Sequence, residues 1–190
     1  MRIVGGRHRG RRPLAPPGTT VRPTSDRARE ALFNILAHGH LAADGIPFEG
    51  VAVLDAFAGT GALGLEALSR GVAEAVFIER DPEAVAVLRR NVALLEEGAR
   101  AHIVPGDATR PPRAALQCAV AFIDPPYRSG LAATALEALD RAGWLTSDAL
   151  VIVELGAREE FAAPGAFELL DQRVYGAARL VFLRRKGGPR

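Results

Sequence analysis

A chain of 190 residues has room for one α/β domain with a sizeable core and is too short for two ordinary ones. Its 48% apolar and 24% charged residues match an ordinary globular composition, and no apolar run approaches the ~20 residues of a membrane span. The net charge of +2 conceals an asymmetry, because Arg2, Arg7, Arg9, Arg11, Arg12 and Arg22 all precede the first acidic residue, Asp26. A lone cysteine, Cys118, excludes an internal disulfide and a cysteine-cluster metal site. His8, His38, His40 and His102 are scattered, and His38-Gly39-His40, with no acidic or thiol partner nearby, reads as a helix end rather than a metal site, so no metal is expected. The start lacks the apolar stretch of a secretory signal, which makes the cytoplasm the expected compartment.

In chain order, residues 1–23 join a short β-capable start to Gly5-Gly6, Gly10, Pro13, Pro16-Pro17-Gly18 and Pro23, the makings of a hairpin or extended arm. Its arginines suit phosphate contacts, against the plainer reading of a solvated terminus. Thr24-Ser25-Asp26 then offers caps for a helix to about Ala37, with Ala28, Ala31, Leu32, Ile35 and Leu36 at helical spacing. Arg22, Arg27 and Arg29 would face a ligand or solvent. Residues 39–50 read as a linker.

From Val51 the pattern alternates as β-α-β units, which predicts a parallel sheet. The expected strands end at Asp55, Glu79, Val104 and Ile123, with helices over 62–69, from Pro82 to about Leu95, and over 131–141. A short helical or irregular piece is expected near 111–117. A fifth strand spans 149–154, and residues 167–174 and 178–183 read as an antiparallel hairpin at the far side of a seven-stranded sheet.

The first strand runs into Gly59, Gly61 and Gly64, a G-x-G-x-x-G turn whose missing side chains permit a sharp bend and close ligand approach. Glu79 follows at the spacing of a ribose-binding carboxylate, which suits NAD and S-adenosylmethionine equally. Asp55, Glu79, Asp107 and Asp124 each follow an apolar run, and in open α/β sheets such ends converge on one crevice. As helix caps or turn formers, any one of them would mean little. Asp124-Pro125-Pro126-Tyr127 favours the second cofactor. Two prolines freeze the loop and leave carbonyl acceptors, Asp124 adds another, and Tyr127 offers a flat face, an arrangement suited to an amino group on a planar base.

Gly59-Thr60-Gly61-Ala62-Leu63-Gly64 together with Asp124-Pro125-Pro126-Tyr127 resembles the class I S-adenosylmethionine-dependent amino-methyltransferases. The opening Met1-Arg2-Ile3-Val4-Gly5-Gly6 and the stretch Val21 to Asn34 resemble the bacterial RsmD family, which methylates guanine N2 in 16S ribosomal RNA; the likeness spans nearly the whole chain. It implies a Rossmann-like class I methyltransferase fold with a mostly parallel sheet, a C-terminal antiparallel hairpin and a small N-terminal β-arm and helix extension. Residues 1–38 would bind RNA and close the site, and residues 39–190 would form the methyltransferase domain. The loop from Asp55 through Phe57 to Gly64 would hold the methionine part of S-adenosylmethionine, with Glu79 on the ribose, Arg80 beside it, Asp107 on the adenine amino group and Ala108 adjacent.

The resemblance makes Asp124, Pro125 and Tyr127 the catalytic group: Asp124 and the Pro125 carbonyl would accept hydrogen bonds from the guanine N2 while Tyr127 stacks on the base. Arg2, Arg7, Arg9, Arg11, Arg12, Arg22 and Arg128 would contact RNA. The expected partner of this monomer is 16S ribosomal RNA within a small subunit or an assembly intermediate. Other readings are a DNA adenine-N6 or cytosine-N4 methyltransferase, for which the chain lacks room for a DNA-recognition domain, a non-catalytic ribosome-assembly factor, and a nicotinamide oxidoreductase.

Overall fold

A computed structural model describes residues 1–15, 23–38 and 48–187. Arg22, Pro16-Pro17-Gly18, His40, most of the expected linker and the last three residues lie outside the described residues. Helix α1 spans Pro23–His38, followed by β1 (Ala52–Ala56), α2 (Ala62–Ser69), β2 (Glu74–Glu79), α3 (Pro82–Leu94), β3 (Ala101–Pro105), β4 (Cys118–Ile123), α4 (Leu131–Arg141), β5 (Leu145–Gly156), β6 (Phe167–Tyr175) and β7 (Ala178–Arg185). They form one seven-stranded sheet in the order β3-β2-β1-β4-β5-β7-β6. β1 pairs in parallel with both β2 and β4. The strand order therefore reverses at β1, and the crevice outside the C-terminal ends of β1 and β4 is where such sheets take ligands.

Alternate residues of each inner strand feed two cores. Val53, Phe77, Phe122 and Ile152 face α1, α2 and α3, packing against Leu32, Phe33, Leu68 and Leu88. Leu54, Ile78, Ile123 and Val153 face the opposite side, with Leu136 and Leu139 of α4. Burial on both faces explains why these strands read as unbroken apolar runs. β7 lies between β5 and β6, antiparallel to both. Its residues 180–183 are all buried, whereas β6 is the exposed edge.

Local details of the structure sharpen the sequence expectation, each with a physical cause. β5 starts four residues before Ala149, because Leu145 pairs with Cys118 across a register shift that leaves polar Ser147 and Asp148 exposed. Residues 111–117, expected as a helical or irregular piece, are irregular; Ala114 N–H donates to the Ala142 carbonyl at 3.0 Å and Trp144 Nε1 to the Pro112 carbonyl at 2.9 Å. The chain start, expected as a hairpin or extended arm, folds back on itself as a turn-rich loop without a regular strand. Ile3 and Arg11 are joined at 3.0 Å and Gly10 and Ile3 at 2.9 Å, and Gly6 and Gly10 sit at φ 72° and 87°, where side chains are strained.

The N-terminal loop is docked through buried polar contacts. Val4 N–H donates to the buried Glu66 carboxylate at 2.8 Å, Ser69 Oγ to the Gly5 carbonyl at 2.6 Å, and Leu14 N–H to Asn91 Oδ1 at 2.7 Å. Ile3 is fully buried in the same core as Leu32 and Phe33. No helix among the described residues is long and apolar enough to cross a membrane.

Candidate active site

The glycine turn is organised by two carboxylates. Asp55, buried at the end of β1, accepts from Gly64 N–H at 2.8 Å; Glu79, at the end of β2, accepts from Gly59 N–H at 2.7 Å and from Asp81 N–H at 2.8 Å. Gly61 has φ 89° and Gly59 φ 55°. Gly64 is required for a different reason: a Cβ there would stand 2.3 Å from the Phe77 ring, so only glycine lets α2 lie on β2. Asn91, wholly buried on α3, donates to the Thr60 carbonyl at 3.0 Å and also holds Leu14, which links the N-terminal loop to the glycine turn.

Outside the strand ends lies a cavity of about 430 Å³. Of the residues proposed from sequence, Phe57, Glu79, Arg80, Ala108, Asp124, Pro125 and Tyr127 line it. Asp55, Gly59, Gly61, Gly64 and Asp107 are absent from its wall; the first four shape the turn behind it. Asp107 accepts from Thr109 N–H and Oγ1, both at 2.8 Å, and stands 3.8 Å from Arg80. Those bonds hold its carboxyl below the usual range.

The opposite shift marks the centre. Burial, opposed by the amide bond from Gly64 and reinforced by the Glu79 charge, pushes Asp55 up to about 7. Asp124 is raised well above the ordinary value, first by desolvation and then by the charges of Glu154 and Asp55. Five acids thus follow the strand order along one edge: Asp107, Glu79, Asp55, Asp124 and Glu154.

A family model described as conserved hypothetical protein 95 matches residues 1–184. The chain is 41% identical over 178 residues to Ribosomal RNA small subunit methyltransferase D of Escherichia coli (strain K12), covering 93% of this chain and 85% of the relative. It belongs to the RsmD family. The Haemophilus influenzae protein of the same name is 32% identical over 181 residues, covering 93% of this chain and 89% of that one. The solved structure of yhhF from Escherichia coli superposes with a TM-score of 0.82 at 36% identity, covering 99% of both chains. The sheet, with its C-terminal antiparallel pair, is that of a class I methyltransferase.

In this RsmD-family chain three wall residues carried no assignment from sequence, Ile78, Gly106 and Glu154, and Pro126 was read only as part of the Asp-Pro-Pro-Tyr loop. Glu154 had a signal, since it too follows an apolar strand, and it accepts from the Tyr127 hydroxyl at 2.8 Å. The arginines assigned to RNA divide into two groups. Arg7 pairs with buried Glu97, and Arg11 donates to the Leu94 carbonyl at 3.1 Å, so both serve in docking the loop. Arg2, Arg9, Arg12 and Arg128 are exposed like Arg7 and Arg11, but among the described residues their side chains are not engaged in holding the loop. Arg29, expected at a ligand or in solvent, is instead buried and donates to the Arg2 carbonyl at 2.9 Å. Placed on the buried stripe of α1, it can reach the backbone of the loop that covers it.

Proposed function

We propose that this chain transfers a methyl group from S-adenosylmethionine to the exocyclic N2 of a guanine in small-subunit (16S) ribosomal RNA. The observation that carries this reading is the row of carboxylates beside the cavity, which ends at Pro125, Pro126 and Tyr127. Such a row attracts a cationic ligand and opposes a diphosphate. Glu79 and Asp55 also occupy the turn's Gly59 and Gly64 amides, the kind of donors that cradle phosphate in dinucleotide sites. The nicotinamide reading loses its support there. The ribosomal RNA substrate follows from the relatives' names, which favour it over DNA and over non-catalytic docking.

S-adenosylmethionine supplies an electrophilic methyl group on a sulfonium centre. In this reading the turn from Asp55 through Phe57 holds its amino-acid end, Glu79 accepts from ribose hydroxyls, and Asp107 and Ala108 face the adenine. Asp124 and the Pro125 carbonyl accept from the guanine amino group, which favours a pyramidal nitrogen and stabilises positive charge developing there. Neighbouring positive charge returns Asp124 to its ionised, accepting form. Its raised proton affinity suits it to receive the proton that leaves nitrogen. Tyr127, anchored by Glu154, stacks on a base that has left its own stack. Arg2, Arg9, Arg12 and Arg22 supply phosphate contacts, and residues 1–38 close the site.

The test is methyl transfer from labelled S-adenosylmethionine to undermodified small subunits, naked small-subunit RNA and duplex DNA, followed by nucleoside analysis. N2-methylguanosine in the ribosomal substrates is expected. Label in DNA or in another nucleoside would overturn the substrate, and Asp124→Ala that retains function would overturn the catalytic role.

A further inference from the structure

Beyond the Tyr127 ring the surface opens into a second groove of about 570 Å³, between Tyr127 and Arg128 on one side and Arg158 and Glu159 after β5 on the other. Its remaining walls, Gly156, Ala157, Gly176 and Ala177, carry nothing longer than a methyl group, so a polymer backbone can lie close. Across the sheet edge the charge changes sign here. The acids run from Asp107 to Glu154, and beyond them Arg128 and Arg158 are exposed.

Glu159 is half-buried in the groove wall, where its carboxylate is held by two backbone amides and leaves Arg158 without an acid in hydrogen-bond contact among the described residues. Its Oε2 accepts from Arg128 N–H at 3.1 Å and from Gly156 N–H at 3.2 Å, which ties the Asp-Pro-Pro-Tyr loop to the loop after β5. Arg179 Nη2 donates to the Glu159 carbonyl and anchors that loop in turn. Arg128 itself has φ 60°, a left-handed conformation rare outside glycine, at the residue whose amide Glu159 holds.

We infer that this groove binds the RNA backbone flanking the target base, with Arg128 and Arg158 contacting phosphodiester groups and Glu159 as the positioning residue that sets Arg128. The inference rests on the proposed RNA methylation and deepens it. A base that reaches Asp124 brings its flanking backbone against the surface beside Tyr127, the residue both cavities share. On the β1 to β3 side that backbone meets a row of carboxylates whose one lining arginine, Arg80, stands 3.8 Å from Asp107, and on the β5 side it meets two arginines and a floor of small residues. Phosphate therefore lies on the β5 side.

The experiment measures binding of full-length protein to naked small-subunit RNA across a salt series, alongside S-adenosylmethionine affinity and circular dichroism. Arg158→Ala weakens RNA binding about three- to tenfold, raises KM for RNA by the same factor, and lowers the slope of log affinity against log salt by roughly 0.7–0.9. Cofactor affinity stays at the wild-type value. Glu159→Gln, which keeps one acceptor oxygen for both amides and removes a negative charge, binds RNA at least as tightly as wild type; Glu159→Ala binds more weakly. Wild-type RNA affinity and salt slope in Arg158→Ala overturn the groove. Equal behaviour of Glu159→Gln and Glu159→Ala overturns the positioning role. A loss seen with assembled subunits but not with naked RNA would assign the groove to an acidic protein surface and overturn the RNA assignment. Failure of the underlying reading is separately visible, as wild-type protein that methylates no RNA.

Discussion

The Gly59 amide donates to the Glu79 carboxylate at 2.7 Å, so the acid that ends β2 clamps the turn that follows β1. One residue thereby shapes the glycine turn and lines the cavity. Removing it should cost twice. Glu79→Ala is expected to weaken S-adenosylmethionine binding at least about tenfold, or about 1.4 kcal/mol. Glu79→Gln should fall between it and wild type, since one of the two amide bonds keeps its acceptor. Calorimetric titration distinguishes the three, and equal affinities would detach the clamp from the cofactor.

Asp55 gives the ligand-free protein a pH dependence of definite sign. Its carboxyl rises from 3.8 to about 7 on folding, so the folded chain binds more protons and stability falls as pH rises across that interval. Three units correspond to at most about 4 kcal/mol. The melting temperature of ligand-free protein should therefore drop between pH 5 and 7.5. Asp55→Asn should flatten the drop without abolishing it, because Asp124 shifts the same way. Affinity for the cationic cofactor should climb over the same range, and a melting temperature that rises with pH would contradict the assignment.

The three glycines of the turn should fail differently. Gly64→Ala places a methyl 2.3 Å from the Phe77 ring, and Gly61→Ala places one 2.4 Å from Leu88 at φ 89°. Each should lower stability to denaturant by about 1–3 kcal/mol. A methyl group at Gly59 would meet nothing within 4 Å, and only the φ of 55° resists it. Gly59→Ala should cost about 1 kcal/mol or less, with its larger effect on cofactor affinity. Urea melts of the three variants check the ranking.

The N-terminal arginines should separate into structural and RNA-facing groups. Glu97 is buried at the junction of Arg7, His8 and Arg100, and their hydrogen bonds hold its carboxyl below the ordinary value against the cost of burial. Glu97→Ala should destabilise the protein by about 2–3 kcal/mol and speed tryptic cleavage within residues 7–12. Arg9→Ala with Arg12→Ala should instead leave the melting temperature unchanged and weaken RNA binding. Unchanged RNA affinity and salt dependence in that double variant would remove the loop from recognition.

Much of the fold and most of the cavity wall could be read along the chain. Strands β1, β2 and β4 are buried on both faces, so burial writes itself into the sequence as apolar runs, and each run ends at or next to an acid. Asp55, Glu79, Asp124 and the turn glycines were visible for that reason. Local order also placed α2 at 62–69 and α4 at 131–141 without error, because Gly61 and Gly130 mark their starts.

What tertiary structure alone decided concerns partners distant in sequence. That β7 rather than β6 pairs with β5 depends on burial across the sheet, which hairpin spacing does not encode. Glu154 joined the site because β5 lies beside β4, 27 residues separating it from the tyrosine it holds. Arg7 and Arg29 look like any other arginines in a basic stretch; only the placement of buried Glu97 beside exposed Arg7, and of the Arg2 carbonyl beside buried Arg29, ties them to the fold. A sequence reports what each residue can bond to, and packing determines which of those partners comes within reach.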